Sequence, residues 1–399
     1  MTTVMILAGE SSGELYGSLL AKALRSKCQD VHIIGIGGSR MQDAGVELIA
    51  HTSDAFGIIE AVSSLRKIKT ALNSARKALR KFRPQVLIPI DYPDFNLKVA
   101  KMAKPLGIKV LYYVSPQVWA WRKGRIKKIA QTVDGMMVIL PFEEKIYRDA
   151  GVECEFVGHP VLEEIEAVFM DTGCGQRSTL GINQELKGCV KNILGLDEKR
   201  PLLSILPGSR PSELNRHFPL ILETVRQFKR DPDIPAAMHY QFCIPLAPNT
   251  DEEPYRSYLE DLEREGVVIR KGESVRVLAA SDLAVVASGT ATLQTALLEV
   301  PMVVMYKLSP LTYQLGKRIV QVKHISLVNI LSGRGVVREL LQKSANPHEI
   351  IQELKKVMFD RQYRENMITE FRMIKEQFAN KNPSERVAEI IMEMAGERE

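Results

Sequence analysis

Short apolar runs, each followed by a stretch of helical periodicity, recur along most of this 399-residue chain and restrict it to an α/β architecture. Strands are expected near residues 3–8, 31–36, 86–90, 109–114 and 135–140, interleaved with helices near 13–27, 95–106, 122–131 and 142–149. That order is the pattern of a doubly wound parallel sheet. After Gly158-His159-Pro160 the chain turns polar and irregular, through Asp171-Thr172-Gly173-Cys174-Gly175 to about Arg200. A second alternating set follows, with strands near 202–206, 238–244, 267–270, 283–287 and 302–306. Beyond it, Ile350, Leu354, Val357, Met358, Phe371, Ile374, Val387, Ile390 and Ile391 have helical spacing. The length suits two domains rather than one. The expected fold is two Rossmann-like doubly wound domains facing across a cleft, with a helical C-terminus. Residues 1–170 and 201–364 form the domains, 171–200 an irregular linker, and the helices of 365–399 join the first domain.

The chain contains no uncharged apolar run of 18 residues, so no spanning helix is expected. Its N-terminus passes straight into Val4-Met5-Ile6-Leu7-Ala8-Gly9 without a preceding basic region, which reads as a first strand in a cytoplasmic protein. Cys28, Cys154, Cys174, Cys189 and Cys243 are scattered without a Cys-x-x-Cys pair, and free thiols are expected. The net charge of +6 is concentrated locally. Arg66, Lys67, Lys69, Arg76, Lys77, Arg80, Lys81 and Arg83 have no acid among them, while Ile58, Val62, Leu65, Ile68, Leu72 and Leu79 recur at three- and four-residue spacing. This basic amphipathic helix either covers the first sheet with a solvated basic back or meets a membrane surface. Both hold together if Phe56-Gly57-Ile58-Ile59 forms an apolar lip. With no basic-aromatic repeat, nucleic acid is not an expected partner.

Both tryptophans lie in Ser115-Pro116-Gln117-Val118-Trp119-Ala120-Trp121-Arg122, directly after an apolar run. A strand ending there delivers two amphipathic rings and a guanidinium to the carboxyl edge of the sheet, where open α/β sheets bind ligands. The alternative is a Trp anchor that packs the next helix. Gly9-Glu10-Ser11-Ser12-Gly13-Glu14 and Asp91-Tyr92-Pro93-Asp94-Phe95-Asn96 also follow strands and reach the same edge. Asp91 is the general-base candidate, because it leaves a hydrophobic strand where burial raises a carboxyl pKa. Asp94 fits a helix cap equally well.

In the second domain, Leu206-Pro207-Gly208-Ser209-Arg210 offers a close backbone approach, a hydroxyl and a guanidinium that can fork onto phosphate oxygens. Ser288-Gly289-Thr290-Ala291-Thr292-Leu293-Gln294 opens a helix whose start presents N–H groups to an anion. Either alone fits a helix cap; two after parallel strands of one domain favour a diphosphate site. No Gly-x-x-x-x-Gly-Lys-Ser/Thr occurs, and Gly35-Ile36-Gly37-Gly38 lacks the third glycine of a dinucleotide fingerprint. Asp231-Pro232-Asp233 reads as a surface turn, the histidines lack metal-binding spacing, and His159 reads as a structural residue. Neither metal nor cofactor is expected.

Taken in order, Gly9 to Gly13, Asp91 to Asn96, Ser115 to Arg122, Pro141-Phe142-Glu143, Val157 to Pro160, Leu206 to Arg210, Ser288 to Leu293 and Asn329 resemble the lipid-A-disaccharide synthases over about residues 4–342. The Ser-Pro-x-Val-Trp-Ala-Trp-Arg run is the specific element; Leu-Pro-Gly-Ser-Arg or Ser-Gly-Thr alone indicates a nucleotide-sugar enzyme. The resemblance implies a GT-B type inverting glycosyltransferase, peripheral on the inner face of the inner membrane of Gram-negative bacteria. It implies transfer from UDP-2,3-diacylglucosamine to 2,3-diacylglucosamine 1-phosphate, giving a β(1→6) disaccharide and UDP without a metal, and it allows a homodimer.

On that basis Asp91 and Arg210 are the catalytic residues. Gly208, Ser209, Arg210, Ser288, Gly289, Thr290, Thr292, Gln294, Asn329, Glu339 and Gln342 surround the donor, although the last-named Asn, Glu and Gln equally suit bracing roles. Glu10, Ser11, Ser12, Gly13, Asp94, Asn96, Ser115, Trp119, Trp121 and Arg122 line the acceptor side. Phe56, Ile58, Ile59, Val62, Leu65, Arg66, Lys67 and Lys69 meet the membrane. Two positions depart from the family, which usually has aspartate at Glu14 and glutamate at Gln294. The stretch from Asp171 to about Gly195 is longer than the family requires. The rival readings are a UDP-N-acetylglucosamine 2-epimerase or other UDP-sugar enzyme, and a non-catalytic nucleotide-sugar-binding or membrane-scaffold protein.

Overall fold

In the computed structural model, residues 2–51, 61–120, 124–172, 184–235, 238–309, 313–314 and 323–396 are described, with backbone alone at 11, 61–67 and 172. The first sheet contains β1 (Thr3–Ala8), β2 (His32–Gly37), β3 (Glu47–His51), β4 (Val86–Ile90), β5 (Lys109–Tyr113), β6 (Gly135–Val138) and β7 (Cys154–Phe156). All its pairings are parallel, in the order β3-β2-β1-β4-β5-β6-β7. Helices α1 (Ser11–Lys27), α2 (Ser39–Asp43), α3 (Ala61–Phe82), α4 (Pro93–Ala103), α5 (Arg125–Ala130) and α6 (Glu143–Arg148) fall between the strands. Every residue of β4 is buried, because helices cover both faces of a doubly wound sheet and leave no polar side for alternation.

The second unit opens with α7 (Val161–Thr172) and α8 (Gln184–Ile193). Its strands are β8 (Leu202–Leu206), β9 (Gln241–Leu246), β10 (Val267–Lys271), β11 (Leu283–Ala287), β12 (Met302–Tyr306) and β13 (Glu339–Leu341). They form a parallel sheet in the order β10-β9-β8-β11-β12-β13. Its further helices are α9 (Pro211–Arg230), α10 (Arg256–Arg264), α11 (Ser274–Ala280), α12 (Thr290–Leu297), α13 (Leu327–Ser332), α14 (Pro347–Phe359) and α15 (Arg361–Glu376). In each sheet the strand order reverses once, between β1 and β4 and between β8 and β11. Those crevices at the carboxyl ends are where open α/β sheets receive ligands.

The chain divides into Met1–Pro160 with Asn380–Glu399, and Val161–Ala379. These limits differ from the expected 170 and 365. Val161, Ile165 and Phe169 of α7 are buried on the α11 and α12 side, so that helix belongs to the second unit. The expected irregular linker contains α8, whose Lys187 and Lys191 bind the Asp282 carboxylate at 3.1 and 3.0 Å. Helix α15 buries Met367, Phe371 and Ile374 in unit 2. Only α16 (Pro383–Gly396) returns, laying Val387, Ala388 and Ile391 against α1. The Arg386 guanidinium grips Glu155 at 2.7 and 2.9 Å, and Lys27 reaches Glu389 at 2.9 Å.

Strands β3, β7 and β13 were not apparent from sequence, because they are short edge strands without a long apolar run. Cys28, Cys154 and Cys243 are free, but Cys189 is disulfide-bonded, a correction to the expectation of free thiols throughout. Sequence spacing carries no measure of spatial approach. Among the described residues, no helix is long and apolar enough to cross a membrane.

Candidate active site

The β1 and β4 loops flank the crevice of unit 1. A side chain on Gly9 would run into the Tyr92 ring, so the two loops pack directly on one another. The chain leaves β4 through Asp91 and Tyr92, both left-handed at φ 47° and 41°. This conformation is costly for a residue with a Cβ and needs support from its surroundings. Asn96 supplies it: the buried amide donates to the Ile90 carbonyl at 3.0 Å and the Asp91 carbonyl at 2.7 Å. The Tyr112 hydroxyl donates to the same Asp91 carbonyl at 2.5 Å. Asp91 is thus fixed through its backbone, with its side chain half-buried at the sheet edge.

Asp94 is exposed and pairs with Arg125, and Asn96 is engaged in holding the turn. Glu10 is exposed just before α1, while Ser12 is half-buried and Gly13 buried in its first turn. Ser11 is described in backbone only, as are Val62, Leu65, Arg66 and Lys67 within α3. Trp121, Arg122, Phe56, Ile58 and Ile59 lie outside the described residues. The departure at Glu14 has a local explanation. Its buried carboxylate accepts from the Arg40 N–H at 2.9 Å, so the side chain reaches across to cap α2.

Ser115 and Trp119 converge on a residue that carried no role in the sequence reading, Glu143. Its Oε1 accepts from Ser115 Oγ at 2.6 Å and from Trp119 Nε1 at 2.9 Å, while Oε2 accepts from the Leu140 N–H at 3.2 Å. Burial pushes this carboxyl up to about 7; the three donors oppose the shift and the Asp91 charge adds to it. Trp119 stands edge-on to Phe142 at 5.1 Å, and the Tyr147 hydroxyl donates to the Pro116 carbonyl at 3.2 Å. His159 is buried against Tyr16, and burial lowers its pKa to about 3, so it is uncharged at neutral pH.

The crevice of unit 2 lies between the two expected phosphate loops, and they are not equivalent. After β8, Gly208 turns at φ 100° into Ser209 and Arg210. The N–H groups of those two residues donate to Glu213 Oε2 at 3.1 and 3.2 Å, so a protein carboxylate already occupies the start of α9. Tyr306 donates to Glu213 Oε1 at 2.8 Å. One turn on, buried His217 donates from Nδ1 to the Pro207 carbonyl at 2.6 Å and accepts from the Lys307 N–H at 3.0 Å. Burial lowers its pKa as well. Arg210 is left with an exposed side chain.

After β11 the arrangement is open. Gly289 is exposed at φ 147°, no side chain caps α12, and the space a Cβ would occupy is empty. Ser288 donates to the Ile325 carbonyl at 2.8 Å, and buried Thr292 accepts from the Leu327 N–H at 3.2 Å, so their hydroxyls brace the loop. Thr290 is half-buried at the first turn. Gln294 donates to Glu164 at 2.8 Å, which brings a carboxylate from α7 beside the position where the family usually has glutamate.

Asn329, buried, accepts from the N–H groups of Val336 and Val337 at 2.7 and 2.9 Å and donates to Val337 O and Glu339 Oε1, each at 2.9 Å. Glu339 also accepts from Ile325 and Ser326, so this pair braces the segment before α13. Gln342, at φ 53°, accepts from the Leu308 N–H at 3.2 Å. Asp231 and Asp233 both bind Lys355, which ties the Asp-Pro-Asp turn to α14.

The chain matches a family model described as lipid-A-disaccharide synthetase over residues 4–391. It is 39% identical over 387 residues to the lipid-A-disaccharide synthase of Syntrophus aciditrophicus strain SB, covering 96% of each chain. It is 39% identical over 398 residues to that of Geobacter sulfurreducens, covering 99% of this chain and 98% of the relative. In fold it is similar to the UDP-GlcNAc 2-epimerase of Neisseria meningitidis bound to UDP-GlcNAc, with a TM-score of 0.69 at 11% identity, covering 98% of this chain and 100% of the other. Acinetobacter baumannii MurG aligns with a TM-score of 0.51 at 12% identity and the same coverage. With two doubly wound units, a strand-order reversal in each and relatives matched nearly end to end, the chain belongs to the lipid-A-disaccharide synthetase family, hexosyltransferases of GT-B fold that act in lipid A biosynthesis.

Proposed function

We propose that unit 2 holds UDP-2,3-diacylglucosamine, that unit 1 receives 2,3-diacylglucosamine 1-phosphate, and that the product is the β(1→6) disaccharide 1-phosphate. The observation that carries the donor half is the contrast between two helix starts at one crevice. The start of α9 is filled by Glu213, whereas that of α12 is open and uncapped beside exposed Gly289. A diphosphate is attracted to the open end by free N–H groups and the helix dipole. Arg210, whose loop is fixed by Glu213 and His217, supplies the cation that stabilises the departing UDP.

On the acceptor side, Asp91 takes the proton from the 6-hydroxyl as that oxygen forms a bond to the anomeric carbon. The bond from that carbon to the UDP oxygen breaks with inversion. The left-handed turn that Asn96 and Tyr112 hold is a conformational cost of the kind found where a functional side chain must be presented at a fixed angle. Helix α3 exposes Lys69, Arg76, Lys77, Arg80 and Lys81 opposite buried Ala71, Ala75, Ala78 and Leu79. This basic face supports docking on an anionic cytoplasmic leaflet, where the acylated substrates reside.

The test is UDP release from the purified full chain in detergent micelles with EDTA, with and without acceptor. Acceptor-dependent release with a new disaccharide phosphate is expected, and Asp91→Asn removes the acidic limb of the pH–rate profile. Conversion of the UDP-sugar without acceptor would replace this reading with an epimerase; donor binding without turnover would replace it with a binding protein.

A further inference from the structure

Glu143 is a buried carboxyl whose three hydrogen-bond donors, Ser115 Oγ, Trp119 Nε1 and the Leu140 N–H, are all neutral. Among the described residues no lysine, arginine or histidine pairs with it. A carboxyl kept out of water without a counter-charge is an expensive choice for a purely structural bracket, which an amide or hydroxyl would fill at lower cost. Its position is specific. One oxygen gathers both ends of the 115–119 turn, a loop entered through Val114 at φ 62°, a region that a β-branched residue occupies only when its neighbours enforce it. The Trp119 ring, half-buried, is held by this hydrogen bond at one end and by Phe142 at the other.

We propose that Glu143 is a positioning residue for the acceptor: in its ionised form it fixes the Trp119 ring at the crevice beside Asp91, and protonation loosens its hold on that ring. The inference rests on the reading that unit 1 takes the acceptor. Protonation at either oxygen leaves a neutral carboxyl that still offers acceptors to Ser115, Trp119 and Leu140 but converts charge-assisted bonds into weaker neutral ones. Among the described residues, the charged or titratable groups around it are Asp91, whose charge favours the protonated form, and Tyr147 and Cys154, which burial keeps protonated. With the midpoint at about 7, the ring is held more firmly above neutrality than below it.

The first measurement needs no substrate. Trp121→Phe leaves Trp119 as the only indole, and its emission is followed with pH in the full chain. A transition with a midpoint of about 7 that vanishes on adding Glu143→Gln is expected. A flat emission, or a transition that survives Glu143→Gln, overturns the proposal whatever the enzyme's substrates are. The second measurement is kinetic. The wild-type KM for acceptor rises roughly five- to tenfold as the pH falls below neutrality while the donor KM stays level. Glu143→Gln, which keeps an oxygen for Ser115 and Trp119, removes this dependence and retains the lower limb due to Asp91. A variant that changes both KM values in parallel would reduce Glu143 to a structural bracket. Absence of transfer in every variant, with the emission transition intact, would instead count against the acceptor assignment.

Discussion

Replacing His159 with glutamine alters the pH dependence of unit 1 in a direction that two buried groups of opposite effect determine. Burial lowers the folded pKa of His159 to about 3, whereas an unfolded histidine titrates near 6.5. Below about pH 6.5 the unfolded chain binds a proton that the folded unit does not. The stabilising contribution is therefore complete above 6.5 and declines as the pH falls toward 3. From about pH 7.5 to 5.0 that decline is about 2 kcal/mol. Glu143 acts in reverse: its pKa is raised from 4.5 to about 7, so its contribution is complete below 4.5 and lost as the pH rises through 7.

Over the same interval Glu143 returns about 2 kcal/mol, and the two effects nearly cancel in the wild type. His159→Gln unmasks the Glu143 gain, making unit 1 about 2 kcal/mol more stable at pH 5.0 than at 7.5, relative to the wild-type difference. Glu143→Gln produces the opposite change. Urea unfolding followed by tryptophan emission reads this, because both indoles belong to the Met1–Pro160 segment. The expected displacement of the midpoint is about 1 M. If His159→Gln keeps the wild-type pH dependence, the histidine is not held neutral and the reasoning fails.

Glu213→Ala strips three acceptor interactions from Ser209, Arg210 and Tyr306, and we expect a loss of about 2–4 kcal/mol in unit 2 by hydrogen-exchange protection of β8 and β12. Unchanged protection would show that the loop holds itself. Gly208→Ala adds a Cβ at φ 100° and against the Glu213 carboxylate, so UDP affinity measured by calorimetry should fall at least tenfold. Changing Arg76, Lys77, Arg80 and Lys81 together to glutamate should abolish salt-sensitive co-sedimentation with anionic vesicles, each residue having contributed about 1 kcal/mol. Binding that persists would move the membrane contact away from α3.

The strand-end loops were legible because chemistry and local pattern coincide there: an apolar run stops, small or hydroxyl residues follow, and the helix period begins. Asp91 and the loops after β8 and β11 were singled out that way, and the sheet order puts each at a crossover reversal. Glu143 was not legible, since an acidic residue opening a short helix reads as ordinary first-turn electrostatics, and its partners stand 24 and 28 positions away. Glu213 has the three-residue spacing of a capping box, but Arg210 at its start disguises it. Asn329 and Glu339 carry the residue types of a ligand shell, and nothing in their order tells a shell from a brace. For the domain limits, the amphipathic periods of α7 and α15 gave an apolar face without saying which core receives it.

The return of α16 to unit 1 has a consequence for biogenesis. The helix that covers α1 is translated only after all of Val161–Ala379. At about 5–20 residues per second, the ribosome leaves the apolar α1 face uncovered for roughly 20–70 s. A premature stop in the last stretch of the gene would therefore injure the first unit made, while the later one, already enclosed by its own helices, would survive. Quality control acting on nascent chains would meet its exposed surface at the beginning of the polypeptide, far from the lesion.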